Sequence, residues 1–239
     1  MKALIVHAHP EPQSFTTSMK DTARRVLEAQ GYDTVVSDLY AQQFNPVASA
    51  SDFGSRKRDD YLVYALEQRN GFETSSLAPD IAEEVDKLLA ADLLVLNFPF
   101  YWFSMPAILK GWIDRVFLSG PLYGGVRFYD KGGLRGRKAF VTATLGGRPH
   151  MFGPKAIHGE INDMLRHLLR GTLGYVGYDV LEPFYAYHVP YLPEDERRKI
   201  MDDFETALRG LDTRPALSFP SLDNFDGELF PLDHLAVAK

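Results

Sequence analysis

Residues 2–8, Lys-Ala-Leu-Ile-Val-His-Ala, form a nearly unbroken apolar run, the pattern of a strand covered on both faces. From Ser14 the period changes. Phe15, Met19, Ala23, Val26 and Leu27 recur at helical spacing, Ser14 is placed to cap the helix and Gly31 to end it. Tyr32 to Leu39 reads as a second strand, and Asp80 to Ala90 as a helix with Ile81, Val85, Leu88 and Leu89 on one stripe. A third buried strand, Asp92 to Phe98, leads through Pro99–Ser104 into a helix carrying Ile108, Leu109, Trp112, Ile113 and Val116 on its inner face. The fourth strand, Lys138 to Leu145, stops at Gly146-Gly147. The spacing then predicts a helix from about His158 to Arg170, packing Ile161, Leu165, Leu168 and Leu169, and a fifth strand from Tyr178 to about Tyr187. Pro193 followed by Glu194, Asp195 and Glu196 starts a last helix along Ile200, Phe204 and Leu208.

Strand and helix alternate, which predicts an α/β fold: a right-handedly wound, five-stranded parallel sheet with helices on both faces. Ligands of such sheets bind beyond the carboxyl ends of the strands. The long connection 40–78, with a possible short helix Asp59–Arg69, reads as an excursion from one core. The domain is expected over residues 1–211. Residues 212–239, with Pro215, Pro220, Gly227 and Pro231, are expected to form an irregular arm packed on the domain or on a dimer partner.

Composition narrows the chemistry. The 239 residues contain no cysteine, which excludes disulfide scaffolds, thiolate-bound metals and thiol nucleophiles and makes an intracellular, cytoplasmic chain the economical reading. Redox chemistry would need a bound cofactor. The net charge of −6 argues against a nucleic-acid surface, and no segment reads as a signal peptide or a clean membrane span, so stable membrane insertion is not expected. The seven histidines show no His-Glu-x-x-His spacing, and no metal site is expected.

Three loops converge at the carboxyl end of the predicted sheet. His9 to Ser14 leads into a helix amino terminus suited to a phosphate, with His9, Ser14 and Thr16 as donors; alone, it reads as an ordinary capped turn. Phe100-Tyr101-Trp102-Phe103 places four aromatics in a row, which cannot all enter the core and would stack on a planar cofactor or line an interface. Thr144-Leu145-Gly146-Gly147 offers backbone donors close to a ligand, or a simple turn. Neither the dinucleotide fingerprint nor the P-loop is present. A nucleotide-binding sheet without either is closest to the flavodoxin-like arrangement.

His9 with Ser14-Phe15, Ser37-Asp38-Leu39-Tyr40, Asn45-Pro46, the run from Pro99 through Trp102-Phe103 and Pro106-Ala-Ile-Leu-Lys-Gly-Trp112 to Arg115, Gly146-Gly147 and Ile157-His158-Gly159 together resemble the NAD(P)H:quinone oxidoreductase (DT-diaphorase) family of flavodoxin-like flavoproteins. The resemblance implies a homodimer with one flavin per subunit, usually FAD rather than FMN. NAD(P)H is the co-substrate and a quinone or related electrophile the acceptor, in a ping-pong hydride transfer through one shared pocket. Carried over, His9, Phe15 and Thr16 hold the diphosphate. Phe100, Tyr101, Trp102, Phe103, Thr144, Leu145, Gly146 and Gly147 hold the isoalloxazine, and Arg197 approaches the adenine half. Tyr123 and Gly125, with Trp102 and His158, face the substrate. His158 matches the catalytic histidine, whose tyrosine partner is replaced by Phe152; Tyr101 and Leu145 replace a glutamine and a threonine. The alternative is a regulatory flavoprotein subunit of a potassium-efflux-type transporter; a single-electron flavodoxin carrier fits less well.

Overall fold

The computed structural model describes residues 1–232. Its sheet comprises β1 (Lys2–His7), β2 (Asp33–Asp38), β3 (Leu93–Pro99), β4 (Lys138–Thr144) and β5 (Asp179–Ala186), in the order β2-β1-β3-β4-β5. All neighbours pair in parallel. The helices are α1 (Phe15–Ala29), α2 (Tyr64–Glu73), α3 (Pro79–Ala90), α4 (Ala107–Val116), α5 (Ile161–Met164), α6 (Arg166–Leu168) and α7 (Glu194–Arg209).

Strand alternation builds two cores. Ala3 and Ile5 of β1 face α1 and α7, where Met19, Val26, Leu27, Phe204 and Leu208 are buried; Leu4 and Val6 face α3 and α4, with Leu88, Leu109 and Trp112. Pairing aligns His7 with Asp38 and Asn97, and Pro99 with Thr144, so the strands finish level. The connections leave β1 and β3 on opposite faces of the sheet, which opens a crevice between those two ends.

Connection 39–78 is locked onto α4. Gly111 sits mid-helix because a Cβ there would lie 2.2 Å from the Pro46 carbonyl oxygen. The helix in this connection is Tyr64–Glu73, later than the expected 59–69, and the Glu67 carboxylate instead accepts N–H bonds from Lys57 and Arg58. The expected continuous helix from His158 to Arg170 is also corrected. His158 lies in a turn, Gly159 has a positive φ of 73° that a right-handed helix cannot contain, and two short helices run into a π-helical segment at Leu169–Gly174.

Residues 215–217 run antiparallel along β5, where Glu182 N–H donates to Pro215 O and Leu217 N–H to Val180 O, both at 2.8 Å. This covers part of an open sheet edge. Asp130 then accepts bonds from the Ser221 hydroxyl and the Leu222 N–H. Residues 233–239 of the expected arm lie outside the described residues. Among the described residues, no helix is long and apolar enough to cross a membrane.

Candidate active site

The crevice floor is a saturated polar network. Asn97 Nδ2 donates to His7 Nδ1 at 3.0 Å and to Thr16 O at 2.8 Å, while the Thr142 hydroxyl donates to Asn97 Oδ1 at 3.0 Å. Thr17 donates its hydroxyl proton to Glu11 O, so His7 Nε2–H is the donor in the 3.2 Å bond to Thr17. A second imidazole proton has no acceptor there. Burial pushes His7 down to about 4 from 6.5, with Asp38 opposing the shift in part.

That shift makes His7 a source of acid sensitivity. The unfolded chain takes up the proton below about pH 6.5 and the folded chain only near pH 4. The stabilisation is therefore complete above this window and declines across it as pH falls, by up to about 3 kcal/mol. Urea unfolding of wild type and His7→Gln from pH 7 to pH 4 should show a steeper loss for wild type. Equal slopes would remove His7 as a cause.

The three loops meet above this floor. The Thr16 and Thr144 hydroxyls are 2.7 Å apart, joining the first loop to the third, and Phe100 N–H donates to Thr144 O at 2.8 Å, joining the second to the third. His158 is half-buried between the rings of Phe103 and Phe152, with both centroids 5.2 Å away. The hydroxyl missing from Phe152 has a neighbour in Tyr187, whose ring centroid is 5.6 Å from that of Phe152.

The second loop is strained. Tyr101 and Ser104 exchange backbone bonds of 2.9 and 3.0 Å around Trp102 and Phe103, whose φ values are 51° and 59°. A two-residue turn with both central residues at positive φ normally carries Asn-Gly, and bulky side chains there cost about 1–2 kcal/mol each. Trp102 is nonetheless 96% exposed. His167 holds the loop from behind: its Nδ1–H donates to Met164 O, leaving Nε2 to accept from the Ser104 hydroxyl at 3.0 Å.

Backbone donors without an acceptor among the described residues line all three loops: Phe15 and Thr16 in the first turn of α1, Trp102 and Phe103 in the second loop, Gly146 and Gly147 in the third. His9 Nδ1 accepts from Glu11 N–H at 3.0 Å, and burial lowers its pKa; the neutral ring therefore presents Nε2–H outward. A Cβ on Gly147 would stand 2.8 Å from the Phe152 ring.

Arg148 follows Gly147 directly in the third loop without an expected role, and His188 carries no motif that marks it for this site. His188 donates its backbone N–H to Gly147 O at 3.0 Å and its Nδ1–H to Gly146 O at 2.9 Å, while Nε2 accepts from Arg148 Nε at 3.3 Å. Its φ of 60° permits this double contact. Because carbonyl and N–H point oppositely across a trans peptide, pinning Gly146 O turns the Gly147 N–H the other way. The only sequence signal is His-Val-Pro directly after a strand. A cavity of 660 Å³ adjoins this clamp, lined by His150, Tyr185 and Tyr191 among others.

Leu145 is buried beneath the third loop, and Tyr101 is exposed at the second. Arg197 is exposed in the first turn of α7, which lies against α1. Tyr123 and Gly125 are not brought to the loops within one chain. They lie on the connection from α4 to β4, which starts and ends at the amino ends of the strands, with the Tyr123 ring 5.7 Å from Tyr175. The basic residues near strand four also serve structure: Arg137 Nη1 donates to the carbonyls of Leu88, Leu89 and Ala91 at the end of α3.

Residues 1–209 match a family model described as flavodoxin-like fold. The chain is 39% identical over 226 residues to a guinea-pig (Cavia porcellus) NAD(P)H dehydrogenase [quinone] 1, covering 94% of this chain and 82% of that protein. It is 40% identical over 201 residues to human ribosyldihydronicotinamide dehydrogenase [quinone], covering 84% and 87%. A solved structure from Klebsiella pneumoniae, described as a quinone reductase, superposes with a TM-score of 0.94 at 32% identity over 100% of this chain and 96% of that one. The chain belongs to the flavodoxin-like fold family and, within it, to the NAD(P)H dehydrogenase (quinone) proteins.

Proposed function

We propose that this protein is a flavin-dependent NAD(P)H:quinone reductase, acting in the cytoplasm. The observation that carries the reading is the strained Trp102–Phe103 turn, which holds aromatic rings in the open beside the unpaired Gly146 and Gly147 N–H groups. Strain of this kind persists where function uses it. A planar, apolar ring with polar edges fits such a cradle, and the Phe15, Thr16 and His9 donors fit a diphosphate. The amino ends of α1 and α7 lie on one face at the same end of the sheet. That gives an adenosine half a path toward Arg197, so FAD is favoured over FMN.

A flavin bound here would supply hydride transfer between NAD(P)H and a quinone. Trp102 and Phe103 would orient the ring and exclude water from it, and the Gly146 and Gly147 N–H groups would be the donors available to its polar atoms. His158, held between Phe103 and Phe152, would supply a donor where negative charge develops on reduction. A second copy of the chain would bring Tyr123 and Gly125 over the substrate, so a homodimer is expected by light scattering. No observation favours the regulatory-subunit reading.

The test is a visible spectrum of the purified protein, mass measurement of the released flavin, and turnover of a benzoquinone with NADH and NADPH. A colourless protein that takes up neither FAD nor FMN would overturn the reading. In His158→Gln, reduction of bound flavin by NAD(P)H should slow by about 10- to 100-fold, with flavin affinity changed by less than about threefold. Equal losses in rate and affinity would make His158 a binding residue.

A further inference from the structure

Away from the three loops, α2 and the connection from α4 to β4 border an open cavity of 540 Å³ lined by Arg69, Glu73, Gly120, Gly124, Gly125 and Arg127, among others. Neither arginine has a carboxylate within ion-pair distance among the described residues. In a chain of net charge −6, two neighbouring guanidinium groups without such a partner need a reason.

Arg69 is the better defined. Its Nε is buried with no hydrogen-bond partner, and its one side-chain bond runs from Nη2 to the Ser119 hydroxyl at a long 3.3 Å. The side chain lies flat across the glycine loop. A Cβ on Gly124 would approach Arg69 Nη2 to 2.9 Å, and one on Gly120 would approach Arg69 Cγ to 3.0 Å. Gly120, Gly124 and Gly125 all have positive φ, at 101°, 144° and 59°. The loop is thus built of glycine where the guanidinium rests.

Arg127 closes the other side. Its Nη1 donates to Gly120 O at 2.9 Å and Pro121 O at 3.2 Å, which anchors the head group and leaves Nε and Nη2 without acceptors. The Gly125 N–H also has no acceptor among the described residues. Arg69 Nη1, Arg127 Nε and Nη2 and a free backbone N–H around an open cavity match the tetrahedral oxygens of a phosphate, whereas Arg69 Nε is buried behind them. Glu73 is the one carboxylate in the lining, and it opposes such a ligand.

We propose that this cavity is an anion site that takes a phosphate or phosphomonoester group between Arg69 and Arg127. Phosphate binding by Arg69 and Arg127 tests the site apart from the flavin reading; the nucleotide arm alone rests on that reading, in which Gly125 also lies over the substrate of a second copy.

Calorimetric titration of the protein as purified with inorganic phosphate, at constant ionic strength, tests it. Saturable binding is expected, weakened at least tenfold in Arg127→Gln and in Arg69→Gln, and partly retained in Arg127→Lys. Glu73→Gln should tighten phosphate binding by severalfold, a gain that misfolding cannot produce. Parallel kinetics with NADPH and NADH separate the sources. A KM raised for NADPH alone in Arg127→Gln identifies the ligand as the nucleotide's 2′-phosphate; unchanged KM values with lost phosphate binding identify a free phosphate. Absence of saturable phosphate binding to wild type, or binding unaffected by all of these substitutions, would overturn the site, whether or not the protein reduces quinones.

Discussion

Arg115→Leu is expected to lower the stability of the fold by about 3–5 kcal/mol, the usual cost of stranding a buried charge. Asp52 and Arg115 are 1% and 3% exposed. The guanidinium donates to both Asp52 oxygens at 3.0 and 3.2 Å, to Asp80 Oδ2 at 2.7 Å and to Asn45 O at 2.8 Å, and lies over the Phe44 ring. Burial alone would raise the Asp52 carboxyl; bonds from Arg115, Tyr64 and Ser49 instead hold it below the ordinary carboxylate range. One side chain therefore fastens connection 39–78 to α3 and α4. Urea unfolding measures the loss. Arg115→Leu with Asp52→Leu should recover much of it, because the uncompensated charge is then gone. A single-variant cost under about 1 kcal/mol would show that the pair does not hold the connection.

Trp102→Asn combined with Phe103→Gly is expected to separate stability from function. Asn-Gly suits a turn with two positive φ values, so relief of strain should stabilise the flavin-free protein by about 2 kcal/mol. For a chain of this size that is a rise in Tm of about 4–8 °C. The same exchange removes both aromatic rings proposed to stack on the flavin, and affinity should fall by at least about 100-fold. Thermal melts of the stripped protein and flavin titration measure the two effects. Affinity within threefold of wild type would show that these rings are not the cradle.

The long elements were legible because burial leaves a local record. The run 2–8 and the 3.6-residue spacing from Phe15 to Leu27 became β1 and α1 close to their expected bounds. Loops announced by aromatics and glycines were legible as candidates, because such residues after a strand lack an ordinary use. The helix expected from His158 failed for a local reason: an apolar period does not reveal the left-handed backbone at Gly159.

Pattern and composition alone specify an alternating α/β chain, exclude thiol-based redox chemistry and set three candidate loops at one end of a sheet. The tertiary structure decided which groups meet: Thr16 with Thr144, His158 with Phe103 and Phe152, and His188 with the carbonyls of Gly146 and Gly147. It also decided that Arg115 is a buried fastener while Arg69 and Arg127 keep donors free. Periodicity reports only whether a position faces core or water. Hydrogen bonds and charge pairs depend on orientation between residues as far apart as Thr16 and Thr144, and that orientation exists only once the sheet has set the register of its strands.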